Sequence, residues 1–155
     1  MTVEVLIEGT LEWLEEVAEQ AKTNQLGYSG GVPPVAAWRL FSEGNVQLVD
    51  VRSAEERKFV GHVPNSLHVP WATGTSLTRN PRFTRELEAK VSKDSLILLL
   101  CRSGKRSVLA AEAASAAGFS KVFNILEGFE GEIDAYQHRG SSDGWRFHGL
   151  PWVQD

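Results

Sequence analysis

The chain has 155 residues, of which 42% are hydrophobic and 23% charged, as expected for a single globular domain. Its 16 basic and 20 acidic side chains give a net charge of −4, so it carries no electrostatic footprint for nucleic acid or an anionic membrane. The single cysteine excludes an intramolecular disulfide and a zinc site built on several thiolates.

Two further features bear on the cellular compartment. Residues 1–5 lack the basic region and the long apolar stretch of a secretory signal peptide. The longest strongly apolar run, Leu96–Leu100, is far shorter than the roughly 20 residues that span a bilayer. Because a lone cysteine also suits a reducing environment, we expect a cytoplasmic protein.

The first predicted element is an amphipathic helix over residues 10–22. Leucine and alanine side chains share one face of this helix, and glutamates lie mainly on the other. We expect it to pack on the domain as a surface helix, with partner docking as the alternative. A Gly/Ser/Pro-rich stretch follows over residues 27–34 and has room for one short strand.

Beyond residue 34 the predicted helices and strands alternate. The predicted helices cover Pro34–Glu43, Ser53–Phe59, Arg82–Val91, Lys105–Ala117 and Gly128–His138. The predicted strands cover Val46–Val51, Leu67–Val69, Leu96–Leu100 and Val122–Leu126. This alternation predicts a mainly parallel sheet that is covered on both sides by helices and joined by right-handed crossovers.

The lone cysteine lies where such a fold gathers its ligands, just beyond the carboxyl end of an apolar strand. Cys101 opens a short loop that leads into a helix, whose first turn presents unpaired N–H groups and the positive end of the helix dipole. Arg102, Lys105 and Arg106 add three positive charges, and Gly104 suits a backbone conformation or a close approach barred to other residues. A loop of this kind forms an anion-binding nest, which favours a reactive thiolate over an inert buried cysteine.

The loop Cys101-Arg102-Ser103-Gly104-Lys105-Arg106 resembles the active-site loop of rhodanese-type sulfurtransferases in full. In that family cysteine is followed by Arg, any residue, Gly, any residue, and then Arg or Thr. Leu48–Arg52 with Glu55 resembles the family's second-strand signature, and Gly61–Ser66 resembles the loop after it, with Asn65-Ser66 where Gly-Ala is common. Gly128–Tyr136 resembles the segment after the last strand more loosely, so the resemblance covers about residues 30–140.

The resemblance implies a three-layer, rhodanese-like α/β fold with a central, mainly parallel five-stranded sheet flanked by helices. It divides the chain into three parts. Residues 1–26 would form a helical extension, residues 27–140 the rhodanese-like domain, and residues 141–155 a C-terminal tail packed on the domain.

The resemblance also implies sulfur transfer in two steps. The Cys101 thiolate attacks the outer sulfur of a donor such as thiosulfate, and an acceptor such as cyanide or a thiol then takes that sulfur from the Cys101 persulfide. The substrate-binding loop would comprise Arg102, Ser103, Gly104, Lys105, Arg106 and Ser107. The expected partners are the small donor and acceptor, or a protein that accepts the sulfur, with no nucleic acid and no membrane.

Three residues outside the loop are predicted to support the site. Asp50 ends a strand, where its carboxylate is expected to hold loop N–H groups or Arg52, and Arg52 is expected either in an ion pair or at the site. His62 follows a strand end and is the histidine expected to line the site. No cofactor beyond the covalent persulfide is expected, and no metal, because the four histidines lack ligand spacing.

Other functions stay open at this stage. A cysteine-based phosphatase needs Arg six positions after the cysteine, where this chain has Ser107, and arsenate reduction on a related loop is a minor alternative. A Cys–His protease would need a histidine near Cys101, and none of the four lies in a matching motif. A persulfide carrier or regulatory binding module would serve a protein partner, docked by the N-terminal helix or the Trp-containing tail.

Overall fold

The computed structural model describes residues 6–154, so the prediction drawn from residues 1–5 lies outside the described residues. Its helices are α1 (Leu11–Thr23), α2 (Pro34–Ser42), α3 (Ala54–Val60), α4 (Phe83–Lys90) and α5 (Lys105–Ala116). Its strands are β1 (Gly31–Val32), β2 (Gln47–Asp50), β3 (Leu67–His68), β4 (Ala72–Thr73), β5 (Thr78–Arg79), β6 (Leu96–Leu100) and β7 (Lys121–Ile125). The predicted elements therefore form within one or two residues of their expected bounds, except for the last helix.

The central sheet has five strands in the order β1-β7-β6-β2-β3, and each neighbouring pair is parallel. The apolar strand β6 lies in the middle and is buried on both faces, as its uninterrupted leucine and isoleucine sequence predicts. Strands β4 and β5 form a separate antiparallel hairpin, which is absent from the predicted elements. The mainly parallel five-stranded sheet is confirmed.

Successive strand residues point to opposite faces of the sheet and build two separate cores. On one face, Ile97 and Leu99 pack in a cluster with side chains of α4 and α5, and Cys101 belongs to this cluster. On the other face, Leu98 and Leu100 pack with side chains of α1 and α2. Helices cover both faces, which confirms the three-layer architecture.

The segment after β7 differs from its prediction, because no helix forms over Gly128–His138. Gly128 and Gly131 have φ angles of +70° and +83°, in the left-handed region that a right-handed helix cannot include. The Phe129 N–H donates to the Cys101 carbonyl at 2.8 Å, which holds the segment against the cysteine loop. The segment instead lies as a series of turns over the cysteine loop.

The C-terminal tail packs on the domain through its aromatic residues. Trp145 is fully buried in the core that α1 and α2 cover, and its indole Nε1–H donates to the Pro151 carbonyl at 2.9 Å. Val153 and His62 pair through two backbone hydrogen bonds of 2.8 and 2.9 Å. The proposed boundaries at residues 26 and 140 stay predictions. Within residues 6–154, no helix has the length and apolar character to cross a membrane.

Candidate active site

The site lies where β2 and β6 end side by side. Asp50 and Leu100, the last residues of these strands, are register partners, and the Val51 N–H donates to the Leu100 carbonyl at 2.8 Å. The residues that follow Asp50 and the loop that begins at Cys101 therefore leave the sheet at the same edge. This is the edge at which parallel α/β sheets gather ligands.

The loop turns back over the cysteine at Gly104. This residue has a φ of +97°, a left-handed conformation that favours glycine, and it directly precedes α5. Its N–H donates to Cys101 Sγ at 3.1 Å, and no side chain caps the N-terminus of α5. The sulfur thus faces a backbone donor at the positive end of a 12-residue helix, an arrangement that stabilises negative charge.

A second contact to the sulfur comes from Ser107 in the first turn of α5. Its Oγ lies 3.2 Å from Cys101 Sγ and also donates a hydrogen bond to Oδ1 of Asn124 on β7. Ser107 belongs to the predicted substrate-binding loop, whereas no sequence motif points to Asn124. The signal was a polar residue inside the apolar run of residues 122–126, Val-Phe-Asn-Ile-Leu.

The segment after β7 forms the other wall of the loop. Glu130 and Gly131 donate their N–H groups to the Arg102 carbonyl at 2.9 and 3.1 Å. A Cβ at Gly128 would lie 2.4 Å from the carbonyl carbon of Arg102, a separation that packed atoms do not adopt. Only glycine allows this backbone to approach the loop so closely.

Arg106 does not extend freely from the loop, because Glu56 of α3 holds it. Two hydrogen bonds of 2.7 and 2.8 Å join its guanidinium to both carboxylate oxygens, in the bidentate geometry of a strong charge pair. The hydrogen bonds that Arg106 donates to Glu56 are the largest influence on its pKa and raise it, although burial opposes them. Burial by itself would raise the pKa of Glu56, but the bonds and charge of Arg106, with the Ser53 N–H, hold it below its usual value.

Asp50 and Arg52 form a buried ion pair behind the loop. The Arg52 side chain donates to Oδ1 at 3.0 Å and to Oδ2 at 2.7 Å, and Arg57 adds a bond of 3.0 Å to Oδ2. The guanidinium carbon of Arg52 also lies 4.2 Å from the ring centre of Phe129. Arg52 therefore occupies the ion pair that was one of its two expected positions, and its supporting role in function stays a prediction.

The remaining predicted residues lie in different surroundings. Arg102 has its Nε buried without a hydrogen-bond partner among the described residues, and Ser103 is half-buried beside it. Lys105 is exposed, with its Nζ 3.8 Å from a Glu132 oxygen. His62 pairs by its backbone with the tail, and no hydrogen bond between described residues joins its ring to the loop.

The fold and this loop agree with a comparison to protein families. The model of the rhodanese-like domain matches residues 34–133, close to two thirds of the chain. The chain therefore belongs to the rhodanese-like domain family, which confirms the resemblance carried by the loop and strand motifs.

Individual relatives support the same assignment. The uncharacterized protein RP600 of Rickettsia prowazekii is 36% identical over 117 residues, which cover 73% of this chain and 87% of that protein. Thiosulfate sulfurtransferase 16, a chloroplastic protein of Arabidopsis thaliana, is 28% identical over 107 residues, covering 68% and 78% of the two chains. The crystal structure of Rv0390 from M. tuberculosis is 41% identical, covers 83% of this chain and 99% of that one, and superposes with a TM-score of 0.75. The family match and the named sulfurtransferase support a sulfur-transfer family.

Proposed function

We propose that the protein is a rhodanese-type sulfurtransferase, which moves a sulfane sulfur from a donor such as thiosulfate through a persulfide on Cys101 to a thiophilic acceptor. The observation that carries this proposal is the environment of Cys101 Sγ. The sulfur accepts the Gly104 N–H at 3.1 Å, lies 3.2 Å from Ser107 Oγ, and sits within the electrostatic influence of Arg106. The Gly104 N–H, which already donates to the sulfur, stabilises the charge that the sulfur carries as a thiolate and as a persulfide.

The two steps balance without a cofactor. In the first, the Cys101 thiolate attacks the outer sulfur of thiosulfate, a new S–S bond forms, and the S–S bond of thiosulfate breaks as sulfite leaves with the electron pair. In the second, the cyanide carbon attacks the outer persulfide sulfur, so thiocyanate leaves and the thiolate is restored. Because the chain has one cysteine, an external acceptor must take the sulfur.

Arg102 is the loop cation best suited to the anionic part of the donor. Arg106 is paired with Glu56, and Lys105 is exposed near Glu132. Arg102 has no carboxylate partner within residues 6–154, and its Nε is buried without a hydrogen bond. We assign to it the sulfonate group of thiosulfate, whose negative oxygens a guanidinium binds well.

A persulfide carrier is the second candidate. The putative sulfur carrier protein YrkF of Bacillus subtilis is 31% identical over 87 residues, which cover 56% of this chain and 41% of that protein. A carrier would form the same persulfide and pass its sulfur to a protein instead of a small molecule. Either function suits a reducing compartment such as the cytoplasm, where the lone thiol stays available.

The test is turnover with thiosulfate and cyanide. The wild-type protein should release sulfite and thiocyanate in equal amounts, and Cys101→Ser should release neither. Arg102→Ala should raise the KM for thiosulfate roughly tenfold or more, since a hydrogen-bonded charge is lost. Arg85→Ala, which removes an exposed arginine of α4, should leave it unchanged.

Three results would separate the alternatives. One equivalent of sulfite without thiocyanate would favour the carrier over the enzyme. No sulfite from the folded wild-type protein would contradict thiosulfate as donor. Equal turnover by Cys101→Ser would exclude the persulfide mechanism.

A further inference from the structure

Three buried side chains form a continuous hydrogen-bonded row that starts at the reactive sulfur. Cys101 is 1% exposed, Ser107 is fully buried, and Asn124 is 3% exposed. Ser107 Oγ stands in the middle, 3.2 Å from Cys101 Sγ and hydrogen-bonded to Asn124 Oδ1. The row joins three elements, because Cys101 follows β6, Ser107 is in α5 and Asn124 is in β7.

The direction of the Ser107 hydroxyl depends on the side chain of Asn124. A hydroxyl carries one hydrogen and two lone pairs. With Oδ1 of Asn124 facing it, the hydroxyl donates to the amide and accepts from the protonated thiol. A thiolate or persulfide has no hydrogen at that sulfur, so the hydroxyl must then donate to the sulfur.

The carboxamide can accommodate both states, because it has an acceptor on one side and donors on the other. Turned by half a rotation, Asn124 presents Nδ2–H to Ser107 Oγ and leaves the hydroxyl hydrogen for the sulfur. Without the amide, no donor or acceptor from β7 fixes the rotation of the hydroxyl, so its hydrogen no longer has a set direction toward the sulfur. Asn124 thus decides where the hydrogen of Ser107 points.

We propose that Asn124 is a positioning residue that acts on Cys101 through Ser107, by directing the Ser107 hydroxyl toward the ionised sulfur. This proposal deepens the proposed function and rests on it, since it concerns the same thiolate. The strand supports the role: the Asn124 N–H donates to the Gly30 carbonyl at 2.9 Å, and β7 pairs with β6 on its other side. The backbone that carries the Asn124 amide is therefore held in the sheet between β1 and β6.

The other groups near the sulfur make no hydrogen bond to the Asn124 side chain among the described residues, so we expect them to stay in place when it is changed. These are the Gly104 N–H, the Arg106–Glu56 pair, Arg102, and the Asp50 carboxylate, whose charge also acts on Arg106. Substitutions at positions 107 and 124 that introduce no charge leave their electrostatic effect unchanged. The pH dependence of Cys101 reactivity then reports on the hydrogen-bonded row.

The test is the pH midpoint of Cys101 alkylation by iodoacetamide in Ser107→Ala, Asn124→Leu and the double variant. Ser107→Ala should raise the midpoint by about one pH unit, the effect of one hydrogen bond to a charged sulfur. Asn124→Leu should raise it by about half a unit, because the hydroxyl remains but is no longer directed. The double variant should match Ser107→Ala, since Asn124 acts only through the serine.

An unchanged or lowered midpoint in Asn124→Leu, or a shift that adds in full to that of Ser107→Ala, would overturn the proposal. A urea unfolding curve for each variant shows whether it is folded. If Asn124→Leu does not fold, the wild-type protein gives the answer by NMR. The Asn124 side-chain NH₂ signals should shift with the same pH midpoint as alkylation in the wild type and lose that shift in Ser107→Ala, and signals independent of pH would contradict the role.

Alkylation requires no sulfur donor. A failure of this proposal is therefore distinguishable from a failure of sulfur transfer, which turnover with thiosulfate measures separately.

Discussion

The Arg106 guanidinium is fixed to the Glu56 carboxylate by two hydrogen bonds of 2.7 and 2.8 Å, which join the cysteine loop to α3. The two side chains are 50 residues apart in the chain and are each 16% exposed. Glu56 also stabilises the N-terminus of α3, because its carboxylate accepts a hydrogen bond from the Ser53 N–H in the capping box. The pair therefore couples the stability of α3 to the shape of the loop.

Removing one partner of this pair should destabilise the protein. Arg106→Ala leaves the Glu56 carboxylate mostly buried and without its cation, so we expect the free energy of unfolding to fall by roughly 1–3 kcal/mol. Adding Glu56→Gln, which preserves the capping box, should recover part of that loss in urea unfolding. Arg39→Ala is the control, because its ion pair with Glu43 is exposed and should contribute little. Equal losses for Arg106→Ala and Arg39→Ala would contradict the account.

The same pair predicts an acid dependence. The pKa of Glu56 is lowered from its ordinary 4.5: burial alone would raise it, but the bonds and charge of Arg106 outweigh burial. A lowered carboxyl pKa contributes stability that is fully present above 4.5 and is lost as pH falls through the lower folded value. The free energy of unfolding of the wild type, relative to that of Glu56→Gln, should therefore decrease as the pH falls from about 5 to about 3. If urea unfolding gives a constant difference in stability between the two proteins over that range, the stabilising role of the Glu56 charge is contradicted.

His68 adds a second pH-dependent contribution. Burial lowers the pKa of its imidazole from 6.5, and the nearby charges of Arg57 and Lys90 act in the same direction, against the Arg52 carbonyl and Asp50. The neutral imidazole contributes stability above pH 6.5. This contribution falls as the pH drops below 6.5, because the histidine binds a proton more readily in the unfolded chain than in the folded protein. His68→Gln retains a donor for the Arg52 carbonyl, which Nε2 contacts at 2.8 Å. We expect the stability of wild type, relative to this variant, to be lower at about pH 5.5 than at about pH 7.5, and no change would refute the role.

Gly128 should be far less tolerant of substitution than Gly44, which has a similar left-handed backbone conformation. Gly128→Ala places a Cβ 2.4 Å from the carbonyl carbon of Arg102. At Gly44, with a φ of +79°, such a Cβ would meet no described residue within 4 Å apart from its chain neighbours. Gly44→Ala should cost about 1–2 kcal/mol from backbone strain alone. Gly128→Ala should cost about 1–3 kcal/mol more, since overpacking adds to the strain, and should slow alkylation of Cys101. Similar unfolding midpoints for the two variants would contradict the close approach.

The features that the sequence predicts well are those with local signals. The apolar run of β6, the Ser53–Glu56 capping box and the Cys101 loop each occupy a few consecutive residues, so their structure follows from neighbours in the chain. The helix predicted over Gly128–His138 does not form, because the backbone turns at Gly128, Gly131 and Gln137, whose φ angles of +70°, +83° and +65° lie outside the right-handed helical region. These turns follow from contacts with the cysteine loop, which is distant in the sequence.

Local sequence patterns do not predict which residues far apart in the chain contact each other in the fold. Asn124 and Ser107 are 17 residues apart, and periodicity does not tell which interior residue meets a given side chain. The hairpin of β4 and β5 was missed for another reason. Each of its strands has two residues, too few to produce an alternating pattern.

The proposed function requires that Cys101 carry the transferred sulfur. The most direct measurement is the mass of the intact protein after brief treatment with thiosulfate, followed by peptide mapping. The account predicts a gain of about 32 Da, one sulfur atom, located on the peptide that contains Cys101, which cyanide then removes. Cys101→Ser should show no gain. An unchanged mass in the folded wild-type protein, or a gain that persists in Cys101→Ser, would contradict the account.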